Sequence, residues 1–528
     1  MSKLPVLPSR AGPAAVGAQV HLGALKMPSR SAVELSSGAR RTYAELDERS
    51  NRMAQALLGT GLSKGDRVAI WLGNSLEYVD AYLACAKAGL VIVQINIRNK
   101  VSEARFQLQD AGADALVFCD QVAPYVDELA LGNDKILVTT GTERVGDASG
   151  FEAFLSSGAN RMPPEPGDDD LLVIGYTSGT TGYPKGAELT HRSVKTLGQT
   201  NAITNRYAMG STQVFGLSMS FTAGIPAHVL THLYVGGTTI LLEDWDTELL
   251  VDSIERHHAT FTILPSPPIL EFCDVLADNP RRVDSLASLL HSASKAPPEH
   301  LERLVGVIGP RLVEGWGMTE NSGGLVTATA AVDYTPPRPG IYESAGVAAP
   351  DAVVRVIDEA GEPLPHDGTA VGQVIVHSAS LARGYWRNPL ATQSAFRDGW
   401  YYTGDLGRLD PEGYVYILDR RPDLIVSGGM NIYPSELERV ILGVSGVREC
   451  AVVAAPHPKW GQTPVAFVVA GDGVAKSVIQ EHCAQQLAGY KKPSEIRLVA
   501  VLPRNTSGKV LKHQLRDQLA AQPGDGRR

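Results

Sequence analysis

Between Thr42 and Phe118 the sequence keeps switching between helical and strand periods, and this rhythm limits the fold more than any other feature. Thr42 and Glu45 have capping-box spacing; Leu46, Met53 and Leu57 then share one helical face, and Gly59 and Gly61 end the run. Arg67 to Leu72 is a short apolar run that predicts a strand. A helix is expected from Leu76 to Lys87, stopped by Gly89, then a strand from Leu90 to Ile95. A helix near Ser102 to Gln109 and a strand from Ala115 to Phe118 follow. Such alternation builds a parallel sheet with helices on its faces. It returns later: a strand from Thr238 to Leu242, a helix from Thr247 to His257, a strand from Phe261 to Pro265. Glu299 to Ile308 reads as a helix, and Arg311 to Val313 as a strand entering a glycine turn.

From about Ala349 the texture changes to shorter β-like pieces between Gly and Pro turns: Val353 to Asp358, Gln373 to His377 and Tyr414 to Leu418. The last hundred residues mix strands near Ala451 to Ala455, Val465 to Ala470 and Ile496 to Val501 with a helix near Ser477 to Leu487. They read as a small α+β domain. The polar, Pro-containing stretch Asp419-Arg420-Arg421-Pro422-Asp423 is the expected junction. The chain has 528 residues, 44% hydrophobic and 20% charged, enough for a large core and, as a soft prior, roughly three or four domain-sized units. The net charge of -9 argues against a nucleic-acid surface. Five cysteines without a CxxC pair argue against a disulfide framework or zinc site and fit a reducing cytoplasm. Met1 to Val20 does not read as a signal peptide. No apolar run reaches the ~20 residues of a membrane span. The tail ending in Arg527-Arg528 reads as disordered.

Five segments carry chemistry. The buried-strand pattern Leu171 to Tyr176 runs into Thr177-Ser178-Gly179-Thr180-Thr181-Gly182, then Pro184-Lys185-Gly186 and a helix near His191. Glycines let backbone N–H groups converge on an anion at a strand's carboxyl end, and Lys185 adds charge. The spacing is not that of a Walker A loop. Alone, it fits a phosphate cradle or a flexible surface loop equally well. Glu314-Gly315-Trp316-Gly317-Met318-Thr319-Glu320 offers a stacking ring, a hydroxyl and a carboxylate suited to Mg²⁺. By itself a strand–turn–helix corner with Thr319 as N-cap explains it better. Asp405, after Gly404, has the look of a ribose-binding turn or an ordinary Asp turn. Arg420, followed by Ser427-Gly428-Gly429, is a nucleotide donor or a surface arginine. Lys509, after Ser507-Gly508, is in isolation most simply a solvated lysine.

In this order, the five segments together resemble the acyl-adenylate-forming superfamily, which holds acyl-CoA synthetases, luciferases and the adenylation domains of nonribosomal peptide synthetases. The resemblance runs from about Thr42 to Gln514. It implies an α/β fold: a large N-terminal domain of α/β subdomains plus a β-barrel-like subdomain (residues 1–418), a hinge (419–423) and a small mobile α+β C-terminal domain (424–528). It implies that Thr177, Ser178, Gly179, Thr180, Thr181, Gly182 and Lys185 wrap the ATP phosphates. Ser292 and Ala293 stand where the family has Gly-Gly. Glu314, Gly315 and Trp316 belong to the nucleotide site, with Gly315 and Phe221 at the acyl pocket. Thr319 meets the α-phosphate, Glu320 holds Mg²⁺, Asp405 and Arg420 hold the ribose, and Lys509 matches the catalytic lysine. No Ser/His/Asp or Cys/His nucleophile arrangement is evident, and the implied chemistry needs none.

CoA is the expected acceptor. The sequence ends at Arg528, soon after Lys509, with no carrier domain. Gly428 and Gly429 resemble the loop that passes the pantetheine arm, and Trp460 and Lys492 lie in segments that look like those of CoA ligases. Thr222 stands where amino-acid adenylation domains carry an anchoring Asp, and Phe221 replaces a common His, so an aliphatic or aromatic acid is expected. Departures from the family pattern are Trp316 for Tyr, Gln462 for Glu, Lys295 for Pro, and Pro422 at the hinge position usually held by Asp or Lys. Proline fixes φ near about -65°. The implied cofactors are ATP, Mg²⁺ and CoA; the partner is a small carboxylic acid; a homo-oligomer stays open. The rivals are a ligase that loads a separate carrier protein and a nucleotide-binding regulator without catalysis.

Overall fold

The computed structural model describes residues 15–520 except 130, 133, 144, 178–183, 267, 293–295, 421–422, 428–429, 459, 472, 488 and 506–508. The alternation at the start of the sequence becomes one of two large parallel sheets. In the seven-stranded sheet the order is Ser149–Gly150, Ile136–Thr139, Ala115–Phe118, Arg67–Trp71, Val91–Gln94, Leu171–Thr177, Lys185–Thr190. Every pair is parallel except the last. The capping box at Thr42 forms as expected, with the Thr42 side chain accepting from the Glu45 N–H. Gly89 closes the helix Leu76–Ala88 in the left-handed conformation that glycine adopts without strain.

The nine-stranded sheet runs Val347–Ala348, Leu325–Ala328, Leu312–Gly317, Ser288–His291, Phe261–Leu264, Thr212–Phe215, Thr238–Leu241, Ser31–Leu35, Arg40–Thr42. It is parallel from Leu312–Gly317 to Ser31–Leu35 and antiparallel at both ends. Its interior strands are buried on both faces, as helix-covered parallel sheets are. Helices Leu250-containing Thr247–His257, Ile269–Asp278 and Pro298–Ile308 cover one face around Leu289, Leu264 and Phe272.

Beyond residue 350 a third, antiparallel sheet forms from Ala352–Ile357, Gly372–Ser378, Trp400–Leu409, Phe396–Arg397 and Val415–Arg420. Its core of Val354, Val356, Val374, Val376, Leu409 and Val415 includes Val326 of the nine-stranded sheet, so this third sheet is built onto that sheet's end. The last strand runs on through Asp419 and Arg420, which places these two expected hinge residues in a sheet. The smaller C-terminal α+β domain has its own five-stranded sheet, with helices Pro434–Leu442, Lys476–Gln486 and Lys512–Ala520 and separate cores around Ile425 and Phe467. Among the described residues no helix is long and apolar enough to cross a membrane.

Candidate active site

The site residues gather where both large sheets stop being parallel. Thr177 and Lys185 are paired between antiparallel strands, so the Ser/Thr/Gly run connects strand to strand. The sequence reading took it for a strand-to-helix turn. The helix His191–Thr204 starts only after the second strand. That strand, Lys185–Thr190, was missed because Gly186 and Glu188 interrupt its short apolar pattern. Gly186 is required there: a Cβ would lie 2.4 Å from Ile174 Cγ2. Thr177 Oγ1 donates to the Lys185 carbonyl at 3.3 Å and closes the hairpin neck. Ser178, Gly179, Thr180, Thr181 and Gly182 lie outside the described residues.

The second segment also corrects the reading. The strand does not stop at Val313 but runs as Leu312–Gly317, antiparallel to Leu325–Ala328. The glycines serve close strand approach. A Cβ on Gly315 would sit 2.6 Å from Leu325 Cδ2, and one on Gly317 would sit 2.3 Å from the Gly324 carbonyl oxygen. Leu325 therefore covers Gly315. Trp316 points to the other face, and its indole N–H donates to Asp405 Oδ2 at 3.2 Å. Asp405 is buried within the strand Trp400–Leu409, in register with Arg420; it is not on a turn. The residue before it, Gly404, carries the positive φ of 76°. The ring expected to stack on adenine and the carboxylate expected at the ribose are thus tied together. The Arg420 side chain is outside the described set.

Thr319 and Glu320 start a short 3₁₀ turn, Thr319–Asn321, whose N-cap is Met318 without a side-chain bond, so Thr319 is not a cap. Gly175 brings the two sheets into contact here: a Cβ on it would lie 2.8 Å from Thr222 Oγ1 and 3.2 Å from Thr319 Cγ2. Glu320 is buried, and its Oε1 accepts the Tyr385 hydroxyl at 2.7 Å. The Tyr385 and Tyr401 hydroxyls are 3.3 Å apart, and the Lys185 ammonium lies 5.3 Å above the Tyr385 ring. Burial and then the Glu320 charge push the Tyr401 hydroxyl above the usual tyrosine range, so it stays protonated. Sequence reasoning missed Tyr385, which no local pattern distinguishes.

It also missed His291. Adjacent parallel strands put His291 level with Glu314, and Nδ1 donates to Glu314 Oε2 at 2.5 Å. Its Nε2 lies 2.9 Å from Ser266 Oγ. Glu314 is therefore engaged in orienting a buried imidazole at the strand's carboxyl end, beside half-buried Ser292. Ala293 and Lys295 are outside the described residues. Phe221 is half-buried, and its carbonyl accepts from Gln94 Nε2 at 3.3 Å. Next to it Thr222 is buried against Gly175.

The C-terminal domain holds the remaining candidates. Lys509 is exposed, in a turn closed by its own N–H to Asn505 Oδ1 (2.8 Å) and by the Asn505 N–H to its carbonyl (2.9 Å). Trp460 is 46% exposed and stacks on His457 with ring centroids 6.4 Å apart. Gln462 Oε1 accepts the Val426 N–H at 2.8 Å, which a carboxylate oxygen could also do. Lys492 is half-buried. Gly428, Gly429 and Pro422 lie outside the described residues. The structure thus gathers Thr177, Lys185, Thr319, Glu320, Trp316 and Asp405, with Lys509, Trp460 and Lys492 on the other domain.

Comparison with known sequences agrees with this arrangement. The pattern of the AMP-binding enzyme family matches residues 22–386, and that of the AMP-binding enzyme C-terminal domain matches residues 436–509. The chain belongs to the AMP-binding enzyme family. The long-chain-fatty-acid–CoA ligase FadD13 of Mycobacterium tuberculosis is 35% identical over 502 residues, 93% of this chain and 95% of that one. A feruloyl-CoA synthase of Amycolatopsis is 33% identical over 491 residues, 91% of this chain and 94% of the other. Among solved structures, ATP-bound MatB of Rhodopseudomonas palustris superposes with a TM-score of 0.86 at 29% identity, over 96% of this chain and 99% of that one. In this AMP-binding enzyme Lys185 and Glu320 meet at Tyr385, where the two sheets touch.

Proposed function

We propose that this chain is an AMP-forming acid–CoA ligase. It joins a carboxylic acid to ATP as an acyl-adenylate, then transfers the acyl group to CoA. The observation that carries this reading is the cluster Lys185–Tyr385–Glu320–Thr319 beside the Trp316–Asp405 hydrogen bond. It unites a cation, a buried carboxylate and a ring–carboxylate pair at the meeting of two sheets. The names of the relatives, two of which form CoA thioesters, support it.

A carboxylate is a poor electrophile. Its oxygen attacks the α-phosphorus, the bond from that phosphorus to the bridging oxygen breaks, and pyrophosphate leaves. Two anions approach, so the residues' task is to hold positive charge where negative charge develops. The hairpin loop and Lys185 cover the leaving pyrophosphate. Thr319 donates to the α-phosphate, Asp405 and Arg420 hold the ribose, and Lys509 brings its ammonium to the reacting oxygens. In the second step the CoA sulfur attacks the acyl carbon and AMP leaves with the electron pair. Among the described residues no group of three or more His, Cys, Asp and Glu could hold a metal alone. Glu320 with phosphate oxygens suits Mg²⁺, which takes few protein carboxylates and neutralises phosphate charge.

In this reading residues 1–418 form the adenylating domain, 419–423 the hinge and 424–528 the domain that carries Lys509, with Gly428, Gly429, Trp460 and Lys492 along the path of CoA. The enzyme works in the cytoplasm on an aliphatic or aromatic acid. The test is thioester formation across a panel of acids with ATP and Mg²⁺, with CoA present or replaced by a carrier protein. Acyl-CoA formation is expected. Acyl transfer only to the carrier sinks the CoA assignment.

A further inference from the structure

Lys512 opens the helix Lys512–Ala520, three residues after Lys509. A cation at a helix N-terminus opposes the helix dipole, so something else must favour it there. Its ammonium lies 2.8 Å from Glu438 Oε1, with the side chain only 18% exposed. Burial alone would push this amine down, but Glu438, Asp419 and Asp423 together drive it up. One turn later, Arg516 donates to Asp423 Oδ1 at 2.7 Å. Leu515 and Leu519, one and two turns on along the same face, pack onto the domain's own sheet. Asp419 is held at both ends. Its backbone pairs with Leu406, next to the Asp405–Arg420 pair, and its Oδ2 accepts the Ser435 N–H at 2.8 Å. The turn bearing Lys509 is fixed at its base, since the Leu511 N–H donates to the Pro503 carbonyl at 2.8 Å. A short path therefore leads from Asp419, next in the strand to the Asp405–Arg420 pair, through the helix Pro434–Leu442 that carries Ser435 and Glu438, to Lys512 and the Lys509 turn.

We propose that Lys512 is a positioning residue for the catalytic lysine: through Glu438 and the helix Pro434–Leu442, whose Ser435 N–H is held by Asp419, it ties the Lys509 turn to the last strand of the large domain and sets where the Lys509 ammonium stands. This rests on the assignment of Lys509 as the catalytic lysine. The carboxylate cluster is the reason the position demands a cation. Breaking a covered ion pair leaves its partners' charge uncompensated, and the helix that follows the turn loses its anchor on Glu438.

The experiment measures acyl-adenylate formation by the full-length enzyme without CoA, for Lys512→Met, Lys512→Arg and Asp419→Asn, and for Lys512→Met in a Lys509→Ala background. Lys512→Met is expected to lower the rate at saturating ATP about a hundredfold while KM for ATP holds within about twofold. Lys512→Arg should recover most of the rate, and Asp419→Asn should fall between. In the Lys509→Ala enzyme Lys512→Met should cost little more, because the two residues act as one unit. A Lys512→Met enzyme at the wild-type rate overturns the inference. So does an equal loss in the Lys509→Ala background, or a failure of Lys512→Arg to recover while its melting temperature falls, since each marks a structural role only. A Lys509→Ala enzyme at the wild-type rate overturns the lysine assignment itself.

Discussion

The interior strands of the two large sheets and their antiparallel ends are built on opposite terms. Phe261–Leu264 and Ser288–His291 are buried along their whole length and pair in parallel on both sides. Leu171–Thr177 with Lys185–Thr190, and Leu312–Gly317 with Leu325–Ala328, pair antiparallel and contain glycines where side chains would collide. Of the site residues that these two sheets carry, all but His291 and Ser292 lie on strands of the second kind or in the turn that follows one. A parallel sheet covered on both faces has no room for a ligand beside its strands. A hairpin at its margin can present a loop to the neighbouring sheet. Stability and catalysis should therefore separate by region.

The sharpest separation is expected at Glu320. Glu320→Gln keeps an acceptor for Tyr385 but removes the charge, and adenylation should fall roughly 10²–10³-fold with little change in melting temperature. A small rate effect would deny the turn its role. In the interior the reverse holds. Leu289 is fully buried, and Leu289→Ala should cost about 2–5 kcal/mol of stability by denaturant titration while each folded molecule turns over normally.

How much of this was legible beforehand follows the same division. Strands such as Ala115–Phe118 and the helix Thr247–His257 were readable because their burial is periodic and local. Lys185–Thr190 was not, and Asp405 was placed on a turn, because glycines there serve strand contact and look in sequence like punctuation. Tyr385 and His291 acquire partners 65 and 23 residues away. No spacing rule reaches that far. Lys185, Thr319 and Glu320 were linked in the sequence only through the order of motifs along the chain, and Lys185 and Glu320 both contact Tyr385 in the fold.

Acid should attack the interior layer. His228 and His232 are buried beside Phe261, and burial lowers them from 6.5 to about 4 and about 3. Both stay neutral in the folded protein while the unfolded chain takes up protons below 6.5. Stability is then full above that pH and falls as pH drops toward 4, by on the order of 2 kcal/mol per histidine at pH 5. Thermal denaturation from pH 7 to 5 checks this, and His228→Asn should flatten the slope; an unchanged slope would place the acid sensitivity elsewhere. The smallest effect is expected at the boundary of the two regions. Tyr385→Phe removes one hydroxyl donor from buried Glu320 and should cost about 1 kcal/mol in stability and a several-fold loss of rate.

The most direct test of the central claim is exchange of labelled pyrophosphate into ATP, without CoA, in the presence of Mg²⁺ and each of a panel of carboxylic acids. Exchange that depends on the acid and disappears in Lys509→Ala is the predicted result. Its absence with every acid, in an enzyme that still binds ATP, would contradict the assignment of this site to acyl-adenylate formation.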